Sequence, residues 1–138
     1  MKEYVLDASA LYRFLTGGPG ADTVSRLFKE ARDAERPLRM SVVNWGEVYY
    51  TIAKAQGFAE TTKILDRAKM LPLVLLDADE GVTTRAVRLK AGHGLHYADC
   101  FAAATAVPNA VLVTSDAKDF RRITGLALLP LPEHKKKN

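Results

Sequence analysis

Five short apolar runs punctuate the chain: "YVL" from Tyr4, "LRMS" from Leu38, "PLVLL" from Pro72, "AVLVTS" from Ala110 and "LALLPL" from Leu126. Each has the length and the bulky or branched residues of a buried strand. Between them run helical patterns. "ASALYRFL" follows the first run and is stopped by "GGPG", Gly17 to Gly20. Val24, Leu27, Phe28 and Ala31 keep the i, i+3, i+4, i+7 spacing of a helix face until Arg36-Pro37 breaks it. Val42 to Gln56 reads as a helix stopped by Gly57, and a further helix follows over about 59–71. After the third run a helix reaches about Lys90, "GHG" reads as a loop, and "YADCFAAATAV" is an alanine-rich helix ended by Pro108-Asn109. "AKDFRRI" is a short helix before the last run. Strands separated by helices pair in parallel and take helices on both faces. The predicted fold class is therefore α/β: one domain over residues 1–131, with a central parallel sheet of four to five strands.

Composition narrows what such a domain does. At 138 residues the chain is long enough for one substantial core, and 48% hydrophobic with 26% charged residues is ordinary for a globular protein. Cys100 is the only cysteine, so no intramolecular disulfide forms and a reducing cytoplasm is the expected setting. No secretory leader is expected, because the apolar run before Ala8-Ser9-Ala10 spans only Tyr4 to Leu6. The longest apolar stretch, Cys100 to Val113, is interrupted by Thr105, Pro108 and Asn109, and a membrane span needs about 20 apolar residues. A net charge of +4 and a pI near 9.3 suit an anionic partner such as nucleic acid. Part of that charge sits in residues 132–138, which read as a basic, solvated and disordered tail.

In open parallel sheets the working site lies beyond the carboxyl ends of the strands. Asp7 directly follows the first strand, and Asp116 follows the fourth. Each can be an N-cap of the helix after it, or a charge aimed into the crevice. Glu47 lies in "SVVNWGEVYYTIAKAQ" among Trp45, Val48, Tyr49 and Ile52, so it is either on a solvent stripe or turned inward for a purpose. Asp99 opens the alanine-rich helix, where it favours the helix dipole or faces the same crevice. Four carboxylates meeting there repel one another unless a counter-charge intervenes. A hard divalent cation, Mg²⁺ or Mn²⁺, takes such oxygen ligands and suits phosphoryl-ester chemistry. A basic surface outside an acidic metal cleft is the layout of a nuclease.

"YVLDASAL", "NWGEVYY", "LHYADCFAAATA" and "VLVTSDAKDF", in that order and spacing, resemble PIN-domain ribonucleases, most closely the VapC-type toxins of toxin–antitoxin pairs. The resemblance spans Tyr4 to about Pro130. It implies a metal-dependent endoribonuclease that hydrolyses RNA phosphodiesters with metal-activated water, Asp7, Glu47, Asp99 and Asp116 holding Mg²⁺ or Mn²⁺. It also implies that the hydroxyls of Ser9 and Thr114 orient the acids or water, and that Asp119 has a supporting role. Ser115 stands where the family pattern often has glycine. A cognate antitoxin covering the active site, and a homodimer, are further implications.

Rival readings fit less of the chain. Asp77 after "LVLL" suggests a phospho-acceptor of a receiver domain, but the acidic pair such domains need after the first strand is missing. Haloacid-type phosphatases need a second acid where Ser9 stands. Asp77 and Asp79 read better as a strand end and a helix cap. A PIN nuclease of RNA processing without an antitoxin, and a non-catalytic PIN-like module binding RNA or protein, stay open as alternatives. His93 and His96 lack a third ligand for zinc, and Cys100 reads as a small buried hydrophobe. Arg13, Arg85, Arg88, Arg121 and Arg122 are the candidate phosphate contacts; each is otherwise a solvated charge.

Overall fold

The computed structural model describes residues 2–133. Its elements are β1 (Glu3–Leu6), α1 (Ala8–Thr16), α2 (Ala21–Ala34), β2 (Leu38–Ser41), α3 (Val42–Gln56), α4 (Phe58–Ala68), β3 (Leu73–Leu76), α5 (Glu80–His93), α6 (Tyr97–Ala106), β4 (Ala110–Thr114), α7 (Ala117–Phe120) and β5 (Ala127–Pro130). The five strands form one sheet in the order β3-β2-β1-β4-β5, every pairing parallel. The chain steps outward from β1 to β3, then α5 and α6 carry it back to β4 on the other side of β1. The strand order thus reverses between β1 and β4, and that is where a crevice opens at the carboxyl edge. These two strands are registered from Glu3–Ala110 to Leu6–Val113. One residue further along each chain stand Asp7 and Thr114.

Period-two alternation splits the strands between two cores. Leu6, Met40 and Val113 pack with Leu11, Val24, Phe28, Trp45, Val48, Ile52 and Leu65 from α1 to α4. Val5 and Leu112 pack with Ala86 of α5, the small residues of α6 and Phe120 of α7. Full burial of a Leu, Val or Phe side chain stabilises by about 1.5–3 kcal/mol, while alanine contributes far less. The value of Ala102, Ala103, Ala104 and Ala106 is their size: they bring α6, and Asp99 with it, close against the sheet.

Several boundaries differ from the sequence expectation. The helix read to about Lys90 continues through His93 and ends on Gly94 in the left-handed conformation, so "GHG" is helix end and cap rather than a free loop. The helix expected over 59–71 is Phe58–Ala68, closed by a turn ahead of Pro72. "AKDFRRI" is helical only over Ala117–Phe120. The expected basic tail lies, from His134 onward, outside the described residues. Among the described residues no helix is long and apolar enough to cross a membrane.

Candidate active site

Asp7 is the helix cap its sequence position allowed, and its carboxylate is buried. Its Oδ1 accepts a hydrogen bond from the backbone N–H of Ala10 at 2.9 Å, which caps α1, and another from Ser9 Oγ at 2.6 Å. Its Oδ2 accepts one from Thr114 Oγ1 at 2.5 Å. The side chain is only 2% exposed. Burial pushes its pKa up to about 7 against the pull of these three donors, and the charge of Asp116 adds to the rise. Ser9 Oγ also accepts from the Ser115 N–H at 3.0 Å, and Thr114 Oγ1 from the Asp116 N–H at 2.9 Å. Two hydroxyls therefore lash the carboxylate of one strand to the loop after the other.

Asp116 occupies the N-cap position of α7, but its side chain makes no capping bond. Desolvation and then the charge of Asp119 raise its pKa; Arg13 and His96 pull it back, and Glu133 adds to the rise. Arg13 corrects a sequence expectation. It is 8% exposed, and its Nη1 donates to the carbonyls of Pro19 at 2.7 Å and Pro132 at 3.0 Å. It is spent on tying the loop after α1 to the carboxyl-terminal segment, and is no free contact for phosphate. Gly20, at φ 93°, lets that segment approach: a Cβ there would lie 3.1 Å from Leu131 and Pro132.

Glu47 and Asp99 come from α3 and α6, which pack against each other. Both are half-buried. Desolvation, then repulsion from Glu47 and Asp116, lifts the Asp99 pKa to about 6; His96 opposes the rise and Asp119 adds to it. Between the two helices sits Asn44, fully buried, which the sequence reading passed over. Its Nδ2 donates to Glu47 Oε1 at 3.1 Å and to the Ala98 carbonyl at 3.0 Å. The signal for it was an amide three residues before Glu47 in an otherwise apolar helix start, "VVNW".

The acids thus line one edge of the sheet, beside a cleft of about 150 Å³ walled by Ala8, Ser9, Tyr12, Glu47, Val48 and Thr51. They do not close into a cage: among the described residues no three His, Cys, Asp or Glu side chains are grouped to hold an ion. Like charges repel one another, and Asp7 is already turned to its three donors. The donor set is all oxygen, the type a hard cation takes. Of the other expected residues, Arg85 is exposed and reaches the Ala104 carbonyl at 3.4 Å; Arg88, Arg121 and Arg122 are exposed. His93 is bonded to the Leu89 carbonyl, Cys100 is buried, and Asp79 caps α5.

The PIN-domain family model matches residues 4–126. The chain belongs to the PIN-domain family. The fold of this PIN domain is that of several solved structures. VapBC2 from Rickettsia felis, bound to a promoter DNA fragment, is 22% identical with TM-score 0.76, the match covering 92% of this chain and 97% of the other. DNA-bound VapBC from Salmonella typhimurium is 17% identical with TM-score 0.77, covering 94% and 98%. A toxin–antitoxin complex from Klebsiella pneumoniae is 22% identical with TM-score 0.66, covering 96% and 100%. No curated protein matches the chain closely enough to count as a relative.

Proposed function

We propose that this PIN domain is a VapC-type toxin, an endoribonuclease dependent on Mg²⁺ or Mn²⁺, with its working domain at residues 1–131. The observation that supports the reading is that Asp7, Glu47, Asp99 and Asp116, from four separate parts of the chain, lie near enough for their charges to act on one another: Asp116 on Asp7, and Glu47 and Asp116 on Asp99. These four would hold the ion. Burial and mutual repulsion raise Asp7 and Asp99, a cost that a bound cation relieves. When bound, such an ion supplies a Lewis acid for the phosphodiester and a more acidic water.

The chain's own residues do the rest. Ser9 and Thr114 fix the Asp7 carboxylate through hydrogen bonds to both of its oxygens. Asp119 adds negative charge beside Asp116. The exposed Arg85, Arg88, Arg121 and Arg122 are the contacts for RNA phosphates. The proposed partners are RNA, a cognate antitoxin and a second copy of the chain, in the cytoplasm. The antitoxin is supported by the similarity in fold, over nearly the whole of both chains, to structures of toxin–antitoxin pairs.

Purified protein incubated with total RNA and Mn²⁺ should cleave it, and chelator should abolish the cleavage. Induced alone in a bacterial host, the protein should arrest growth. A folded protein that leaves RNA intact at millimolar Mn²⁺ would overturn the nuclease. Cleavage without growth arrest would remove only the toxin.

A further inference from the structure

Asn44 is a buried polar residue that the proposed chemistry leaves unused. It lies fully buried in the first turn of α3, between Val43 and Trp45. Asparagine is a weak helix former and costly to bury, so an apolar residue would serve the core better at this place. The two donors of its amide are both engaged, one on the Glu47 carboxylate and one on the Ala98 carbonyl. Both partners offer oxygen acceptors, so the nitrogen must face them. That orientation leaves Oδ1 buried with no hydrogen-bond partner. The chain tolerates an unsatisfied oxygen in order to aim the nitrogen.

What the nitrogen holds is informative. Glu47 lies one turn further along the same helix, and Ala98 immediately precedes Asp99 in the first turn of α6. One amide thus ties the helix bearing one acid to the helix bearing another. Without it, the half-buried Glu47 has a route to solvent, and its repulsion from Asp99 drives it along that route.

We propose that Asn44 is a positioning residue, whose amide pins the Glu47 carboxylate beside Asp99 and sets the spacing of two acids for a divalent cation. This rests on the reading of Glu47 and Asp99 as metal-holding acids. It goes beyond that reading by assigning the spacing to a residue that touches neither ion nor substrate.

The test replaces the amide by a side chain of similar shape with no polar atom. Asn44→Leu removes the orphaned oxygen and should melt at or above the wild-type temperature. Calorimetric titration of the metal-free protein should nevertheless show Mn²⁺ affinity reduced roughly 10- to 100-fold, the usual cost of losing a group that orients a ligand. RNA cleavage should drop at low Mn²⁺ and return toward wild type at saturating Mn²⁺. Should Asn44→Leu not fold, Asn44→Ala carries the same measurements. A wild-type chain that neither takes up Mn²⁺ nor cuts RNA overturns the metal-nuclease reading and this inference with it. A wild-type chain that does both, beside a folded variant with undiminished Mn²⁺ affinity, overturns this inference alone. So does a loss of cleavage that saturating Mn²⁺ does not repair.

Discussion

At the amino-terminal edge of the sheet, Glu3 lies 3.4 Å from Arg36 and 3.3 Å from Arg39, and all three side chains are 42–46% exposed. They line a groove of about 320 Å³ together with Tyr4, Leu27, Val74 and other residues. At the carboxyl edge, Asp7 is 2% exposed and held by hydroxyl and amide donors rather than by cations, next to a cleft of about 150 Å³. The larger hollow carries charge already neutralised and wetted, worth about 0–1 kcal/mol per exposed pair. Beside the smaller one, burial and the charge of Asp116 keep Asp7 from ionising freely. Uncompensated buried charge, rather than volume, marks the edge proposed for the chemistry.

Exchanging one acid from each edge is the severest test of that contrast. Asp99→Asn should lower RNA cleavage at saturating Mn²⁺ by more than roughly a hundredfold, since even the partners that orient metal ligands cost 10- to 100-fold. Glu3→Gln should leave the rate at wild type. Equal losses would erase the difference between the edges.

Stability against pH sharpens it next. The Asp7 pKa is raised from an ordinary 3.8 to about 7, so the folded protein binds that proton more tightly than the unfolded chain does. The stabilisation is fully present below about pH 4 and is lost as pH rises through about 7. For a shift of this size it is on the order of 4 kcal/mol. Asp99, lifted to about 6, acts in the same direction. The metal-free protein should therefore lose stability at this edge between about pH 4 and 7, and Asp7→Asn should flatten the slope of melting temperature against pH. A slope unchanged by that substitution would mean that Asp7 is not the group responsible.

Adding the cation should offset that loss. A hundredfold excess of Mn²⁺ over its Kd stabilises by about 2.7 kcal/mol, a melting shift of roughly 10 °C in a domain of this size. The shift should shrink in Asp99→Asn and persist in Glu3→Gln. Smaller again is the direct effect of Asp7→Asn on the metal-free protein at neutral pH. Asparagine keeps the cap on Ala10 and removes a buried charge, so stability should rise, offset in part by the lost carboxylate bond from Thr114, while cleavage collapses. Smallest is the other edge, where Arg36→Ala should cost no more than about 1 kcal/mol by chemical denaturation.

Much of this was legible beforehand, and the misses have local causes. The strands β2 and β4 fall where their apolar runs lie, and β4, which packs between helices, is apolar on both faces. The expected end of α4, about residue 71, was late, since the chain turns after Ala68. Arg13 looked like a surface cation on a helix; its real partners are the carbonyls of Pro19 and of Pro132, 119 residues away. Asn44 was overlooked because nothing in its neighbourhood names Ala98, 54 residues further on, as the group it meets.

The sequence by itself determined the layered parallel fold and the placing of Asp7 and Asp116 at the carboxyl ends of their strands. Apolar periodicity fixes which segments are strands or helices, and connection geometry then fixes how they stack. Only the tertiary structure decided the partners of each side chain. It made Asp7 a cap and a buried acid at once, withdrew Arg13 from the surface, and set Asn44 between Glu47 and the helix of Asp99. Those outcomes depend on distances between residues far apart in the chain, and on water excluded from between them. A period of two or 3.6 along the sequence reports which way a side chain faces, and carries no record of what it meets there.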